Sequence, residues 1–433
     1  MFLEWLEILG AFASAVAIFA ITSLLTRHMS LSGGEALTSM NVAVATATSF
    51  ALALAYVGAV TFQEVVPFLV VTLAFYAAMI LSFVWVGYFW NKALTRVRLR
   101  PTVSAPSIGF ESDALLFLLV LMSAYLGYLA LRQGAGPEGR IVLAKDFRGL
   151  DILRMGALQV YACLVSFQVA SRQISWKSYI ARLVVVVLVG SIAGSKGVAL
   201  VFVFAFFTIR GAMSGGERFS AKQWLGLGAI GVLALLAGAG VRIFWGESPE
   251  EALIYMIWRI LLSGDIYLYG LIDGNYKHLF GQYDWLSYVL HPVTALVGVR
   301  GYENPLGVDL FGGTTGDYSG YGPNAQLPML AVVLANGNLT GACAIAVAFG
   351  FAFIGLRVLG IWMFSSNVAS RPATSVIAVA ATVTTAPLLF SDYGVFWQTF
   401  IGTVVVGFGL GILSALRVML LFRSGTATVE TTE

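Results

Sequence analysis

Leu183 to Phe207 reads LVVVVLVGSIAGSKGVALVFVFAFF, an apolar run with Lys196 in its middle. A charge at hydrocarbon depth costs roughly 2.5–3.5 kcal/mol on insertion scales, so it is kept mainly where it serves a cavity or a pathway. At ~1.5 Å per residue the run reaches ~38 Å, too long for one upright span and too short for two full ones. Arg172, Lys177 and Arg182 precede it, and Arg210, Arg218 and Lys222 follow it. The positive-inside rule places both flanks in the cytoplasm. The run therefore reads as two short helices meeting at Gly194-Ser195-Lys196-Gly197, with the turn outward and recessed below the outer membrane surface. A cation in such a depression invites an anion.

The rest of the chain fits that setting. Of 433 residues, 59% are hydrophobic and 11% charged, and the mean hydropathy is +0.86. That excludes an ordinary soluble domain and predicts an all-α polytopic integral membrane protein. Glu4 and Glu7 fall in a first 26 residues without lysine or arginine, so no cleaved signal peptide is expected. Cys163 and Cys343 both lie in apolar segments and read as small buried hydrophobes. With three histidines and no metal-ligand spacing, no metal and no cofactor is expected.

Hydropathy predicts about eleven spans, at 7–26, 41–62, 65–90, 113–131, 153–171, 179–194, 197–210, 224–243, 339–357, 373–390 and 396–416. The basic loop Asn91 to Ser112, with Lys92, Arg96, Arg98 and Arg100, is placed in the cytoplasm. The Arg417 and Arg423 tail is then inside and the acidic N-terminus outside. One short loop breaks the rule: Arg132, Arg140, Lys145, Arg148 and Arg154 fall outside, for an anionic ligand or for lipid headgroups. Residues 1–433 read as a single integral membrane domain, without repeats.

Residues 243–338 form the large external loop, where the active site is expected. Ala252 to Ile272 is nearly apolar enough to span, yet contains Arg259 and Asp265. Counting it as a span would move Arg357, Arg371, Arg417 and Arg423 outside, so helices lying on or dipping into the outer face are preferred. His278, His291-Pro292 and a stretch rich in glycine, acids, amides and tyrosine up to Gln326 follow. That composition is typical of a shaped binding loop. The apolar helix Leu327 to Ala335 reads as re-entrant or interfacial.

Three stretches carry a resemblance. They are Gly194-Ser195-Lys196-Gly197 between two spans, Trp258 to Tyr269 with its W-R-I-L-L core, and Gly322-Pro323-Asn324 followed by an apolar helix and Asn336-Gly337 with Gly341. In this order and placement the chain resembles the oligosaccharide repeat-unit (O-antigen, Wzy-type) polymerases of bacterial inner membranes, relatives of the O-antigen ligases. The resemblance implies a multi-pass inner-membrane enzyme with its active site facing the periplasm. Its donor would be a glycan on undecaprenyl pyrophosphate, its acceptor a repeat unit on the same lipid, and a chain-length-regulating membrane protein a partner; nucleic acid is not expected. The chain departs from the pattern in two places. Its turn carries lysine rather than the commoner arginine, and Pro323-Asn324 stands where ligases have His-Asn.

Breaking a glycosyl–pyrophosphate bond develops negative charge on phosphate oxygens and an oxocarbenium-like charge on the sugar. Fixed cations in a low-dielectric depression stabilise that leaving group. Lys196 and Arg259 are therefore the candidate catalytic residues, with Arg300 joining them at the pyrophosphate. Lys196 also has a bland reading, snorkelling from a helix end, and Arg259 has one as the partner of Asp265. His291 reads as the cap of a turn or as a base. Glu303 and Asp317 are sugar-binding groups or solvated loop carboxylates. Tyr321, Tyr318 and Trp285 either stack on sugar rings or belong to an interfacial belt; Asn324 joins the possible sugar-binding set. A ligase-like transferase and a lipid-linked sugar flippase are the alternative functions. The concentration of charge and glycine in one loop, rather than along a midplane path, favours the enzyme.

Overall fold

The computed structural model describes residues 62–94, 108–132, 147–192, 198–214, 265–294, 302–318, 322–368 and 370–423, with Val299 and scattered positions between 232 and 254. The expected spans at 7–26 and 41–62 (but for Phe62) and most of 224–243 lie outside the described residues. So do Lys196, Arg259, Arg300 and Tyr321. The described chain is helix, turn and loop without strand. Its long helices are α1 (Phe62–Leu94), α2 (Gly109–Arg132), α3 (Arg148–Ala170), α4 (Trp176–Ile192) and α5 (Val198–Ser214). Short helices follow: α6 (Asp265–Leu271), α7 (Asn275–His278), α8 (Trp285–Thr294), α9 (Leu306–Thr315) and α10 (Leu327–Leu334). The chain closes with α11 (Leu339–Asn367), α12 (Pro372–Thr382), α13 (Leu388–Ser391) and α14 (Tyr393–Arg423). Four of them, within α2, α3, α11 and α14, are long and apolar enough to cross a membrane. The protein is an all-α, membrane-embedded chain.

Glycines set the closest crossings. A Cβ added at Gly156 of α3 would meet the Gly402 carbonyl carbon of α14 at 2.0 Å, and one at Gly402 would meet the Ile152 carbonyl oxygen at 2.1 Å. The two backbones touch, as small residues allow where lipid supplies no hydrophobic drive between helices. Gly350 of α11 packs in the same way on Phe75, Ala78 and Met79 of α1.

Polar contacts sort the helix ends. Arg182 of α4 pairs with Asp113 at 2.9 Å and donates to the Ser112 hydroxyl at 3.0 Å, both in the first turn of α2. Ser414, late in α14, donates to Glu111 at 2.9 Å. At the other end of the bundle Leu126 and Leu129 of α2 meet Phe147 and Leu150 before and within α3. Helix α3 therefore starts at the end where α14 also starts, and the two run parallel. Lys277 of the loop approaches Glu64 of α1 at 3.7 Å. The start of α1 and the loop segments share one end. The starts of α2 and α4 share the opposite end with the last turns of α14.

Two apolar cores stack along the bundle. One gathers α2, α3, α4, α5, α12, the far half of α11 and the later part of α14. The other gathers α1, the loop helices, the near half of α11 and the 386–396 segment. Within α3, Arg154 donates through Nη2 to Asp151 at 2.6 Å, with both side chains nearly buried. Arg154, expected in an external basic loop, thus belongs to the body of a span. Arg357, expected at the end of the span 339–357, is buried (4% exposed) with its guanidinium 5.5 Å from the Phe353 ring, and α11 continues to Asn367. The expected span 373–390 is broken: α12 stops at Thr382 and α13 restarts at Leu388. Pro387 lacks the amide that would continue the helix and crowds the preceding turn, which ends it.

The α3–α14 contact generates a clean test. Gly402→Ala should destabilise the protein by about 1–3 kcal/mol through forced separation of the helices. Gly409→Ala, on the same helix with nothing within 4 Å, should be neutral or gain up to about 1 kcal/mol from helix propensity. Thermal unfolding in detergent reads both; equal midpoints would show that the close contact does not exist.

Candidate functional site

The segments of the expected external loop fold into a layer over one end of the bundle, built around α10. Every residue of α10, Leu327 to Leu334, is buried. It packs against α1, α11 and α13, so it is a core element rather than an interfacial helix. Pro328 suits its first turn, where the missing N–H costs nothing. The chain leaves it through Asn336 and Gly337, both at positive φ (53° and 76°). Asn336 accepts from the Gly281 amide at 2.5 Å, which ties the exit of α10 to the loop after α7. Asn338 then caps α11, its side chain accepting from the Gly341 amide.

Glycines in the 301–326 stretch serve backbone contact. A Cβ at Gly307 would lie 1.9 Å from the Pro323 carbonyl oxygen, and one at Gly322 would lie 2.5 Å from the Gly307 carbonyl carbon. The Gly322-Pro323-Asn324 motif is thereby pressed onto the first turn of α9. Gly312 lies against the Tyr318 ring and Gly313 against the Asn275 side chain. Asn275, buried, donates to the Tyr269 carbonyl at 3.1 Å, the Leu310 carbonyl at 2.8 Å and the Thr314 hydroxyl at 3.1 Å. One side chain thus clamps α6 and α9 to the start of α7.

Beside this clamp is a polar cluster that sequence reasoning passed over. Tyr283 donates its hydroxyl to Asp309, whose other oxygen accepts from Asn304 Nδ2 at 3.0 Å. Burial, reinforced by the bond to Asp309, pushes the Tyr283 phenol far above its ordinary range, so it remains a donor. Asp309, half-buried in the first turn of α9, also favours the positive end of that helix. The pairing with Tyr283, 26 residues away, and with Asn304 sets Asp309 apart from the exposed carboxylates Glu303 and Asp317.

An aromatic column adjoins the cluster. His291 is buried and stacks on Tyr302, ring centroids 3.8 Å apart at 29°, and Tyr302 stacks on Tyr288 at 4.7 Å. Tyr283 meets Tyr288 edge-on at 5.4 Å. Tyr393, at the start of α14, donates to the Val289 carbonyl at 2.7 Å. His291 sits within α8 rather than capping a turn.

The remaining candidates spread around this layer. Glu303, one residue from Tyr302, is exposed, as are Asp317 and Asn324. The Asp317 amide donates to Thr315 Oγ1 at 3.2 Å, and the Asn324 carbonyl accepts from the Gln326 amide at 2.8 Å. Trp285 and Tyr318 are exposed at 56% and 55%. Among the described residues no three His, Cys, Asp or Glu side chains gather as ligands for a metal ion. Within the layer Tyr283, Tyr288 and His291 are buried, and of the acids beside them Asp309 is half-buried and Glu303 exposed.

No protein-family model, no curated protein and no solved structure matches this chain.

Asp309→Ala leaves the buried Tyr283 hydroxyl with only the longer bond to the Asn304 carbonyl, 3.4 Å, and should cost about 1–3 kcal/mol of stability. Tyr283→Phe should cost less, because half-buried Asp309 keeps Asn304 and reaches water. The double variant should lose less than the sum of the two, and additive losses in thermal or denaturant unfolding would dissolve the pair.

Proposed function

We propose that this protein is a membrane glycosyltransferase of the repeat-unit polymerase kind, working at the outer face of a bacterial inner membrane with about eleven spans. It transfers a growing glycan from undecaprenyl pyrophosphate to a lipid-linked repeat unit. The acceptor hydroxyl oxygen bonds to the anomeric carbon and loses its proton. The bond from that carbon to the pyrophosphate oxygen breaks, and the electron pair leaves with the lipid pyrophosphate.

The observation that carries this reading is the geometry on either side of Lys196. α4 and α5 have 17 residues each, about 25 Å of rise, less than the ~30 Å of hydrocarbon. Gly190 near the end of α4 lies against Val198 at the start of α5, so the two helices form a tight hairpin. The contacts of Arg182 with Ser112 and Asp113 put the start of α4 at the far end of the bundle. Ile192 and Val198 are thereby at the end that carries the loop layer. In this reading the turn between them in sequence, with its lysine, faces outward in a depression below the membrane surface. Lys196, Arg259 and Arg300 are assigned to the pyrophosphate, and the cations offset the charge that develops on the departing phosphate. His291, Glu303, Asp317, Tyr321 and Asn324 are assigned to the sugars, with Asp309 and Tyr302 added from the folded layer.

The experiment is a polymerisation assay on purified protein with a synthetic undecaprenyl-pyrophosphate repeat unit, reading the product ladder. Lys196→Ala and Arg259→Ala should each lose ~10²–10³ in rate, the scale of removing one transition-state contact, with thermal stability retained. Lys196→Arg should keep much of the activity, whereas Arg259→Lys loses the planar fork that holds two phosphate oxygens. A Lys196→Ala protein of normal activity would overturn the assignment. In the same assay the ladder should persist in EDTA; loss on chelation that Mg²⁺ or Mn²⁺ restores would replace cation-only catalysis by a metal mechanism.

A further inference from the structure

Helix α8 divides its surface three ways. Tyr288 and His291 point into the protein, 4% and 5% exposed, onto Tyr302 and Tyr393. At about 100° per residue, Trp285, Leu286, Val289 and Leu290 share a second arc. Trp285, Leu286 and Leu290 there are 56%, 49% and 44% exposed. Ser287 and Thr294 form a third, polar edge. Ahead of the helix, Asp284 accepts the Ser287 amide at 2.8 Å, which holds its carboxyl below the ordinary range and keeps a charge at the N-terminus.

An apolar face of this size on a ten-residue helix needs a cover. The position of the helix supplies one. The Tyr393 hydroxyl binds the Val289 carbonyl at 2.7 Å, and Tyr393 is the first residue of the membrane-crossing helix α14. The exposed arc of α8 therefore lies at the level where α14 leaves the hydrocarbon. The outward side chains of α14 below it, Val404, Val405 and Phe408, are exposed and apolar in the same way. That level is where tryptophan concentrates in membrane proteins and where in-plane amphipathic helices bury one face.

We propose that α8 is an in-plane interfacial helix whose Trp285–Leu286–Leu290 face rests on the acyl chains of the surrounding bilayer. The polar edge faces the aqueous side, and the third face holds His291 and Tyr288 in the aromatic column. The bilayer then fixes the depth of that column, because α8 is anchored to lipid on one side and to α14 on the other. This role is independent of which reaction the loop layer performs.

Nitroxide labels on the full chain, with Cys163 and Cys343 replaced by alanine and the protein in phosphatidylethanolamine–phosphatidylglycerol nanodiscs, test the seat. Collision with dissolved oxygen reports lipid, and collision with a soluble nickel chelate reports water. At Leu286→Cys and Leu290→Cys the oxygen-to-nickel ratio should match that at Phe408→Cys on α14, and the ratio at Ser287→Cys should be several-fold lower. High nickel access at both leucine positions would place the face in water and overturn the proposal. Low access to both reagents would overturn it too, by showing that protein covers the face. If Leu286→Cys fails to fold, Leu290→Cys reads the same arc.

Discussion

Backbone contact between Gly156 and Gly402 is the constraint on which the rest of the bundle depends. Lipid is as apolar as a leucine side chain, so helices in a membrane gain little by hiding apolar surface from it. They must gain by close packing instead. The glycines remove two side chains from the α3–α14 crossing and let the helices meet at backbone distance. Once α3 is held there, it becomes the hub against which α2, α5 and α12 also pack. Among the described residues it is the most enclosed of the four helices long and apolar enough to cross a membrane, being 83% buried along its apolar stretch.

That enclosure explains how α3 carries so many polar groups. Gln159 donates to the Thr384 hydroxyl across the break in α12. Thr382, Thr384 and Thr385 give their hydroxyls to carbonyls one turn back. Asp151 and Arg154 neutralise each other one turn apart at the loop end of α3. Removing either partner would leave a buried charge, at a cost of about 3–5 kcal/mol. Satisfied in this way, the polar seam pins helix register, and the loop layer is built on a rigid floor.

The layer has its own centre in α10, a helix apolar on all sides and therefore stable only when enclosed. Its enclosure draws α1, α11, α13 and the loop helices to one point. The Asn275 clamp, the Tyr283–Asp309–Asn304 cluster and the His291–Tyr302–Tyr288 column are arranged around it. Polar and aromatic groups from distant parts of the loop come to face the same region because a single buried helix organises them.

The local pattern of the chain determined that it is helical and membrane-embedded, and it located most of the described helices. Apolar runs at 113–131, 153–171 and 396–416 correspond to α2, α3 and α14, whose length follows from bilayer thickness, and those at 179–194 and 197–210 to the shorter α4 and α5. The run 373–390 read as one span, and the break in it at Pro387, a residue that cannot donate, emerged only in the fold. Other features needed the fold. The glycines at 307, 312 and 322 read only as part of a shaped binding loop, and the folded chain shows them to be contact points, against Pro323, Tyr318 and Gly307. Asp309 looked like any loop carboxylate until Tyr283 and Asn304 converged on it. His291 and Tyr302 are neighbours only because the segment before α9 folds back onto α8. Hydropathy and periodicity are properties of a residue and its near neighbours, so they determine helices. A hydrogen bond between residues 26 positions apart, or a backbone contact between two glycines in different spans, depends on where those helices are placed. Only the tertiary structure decides that.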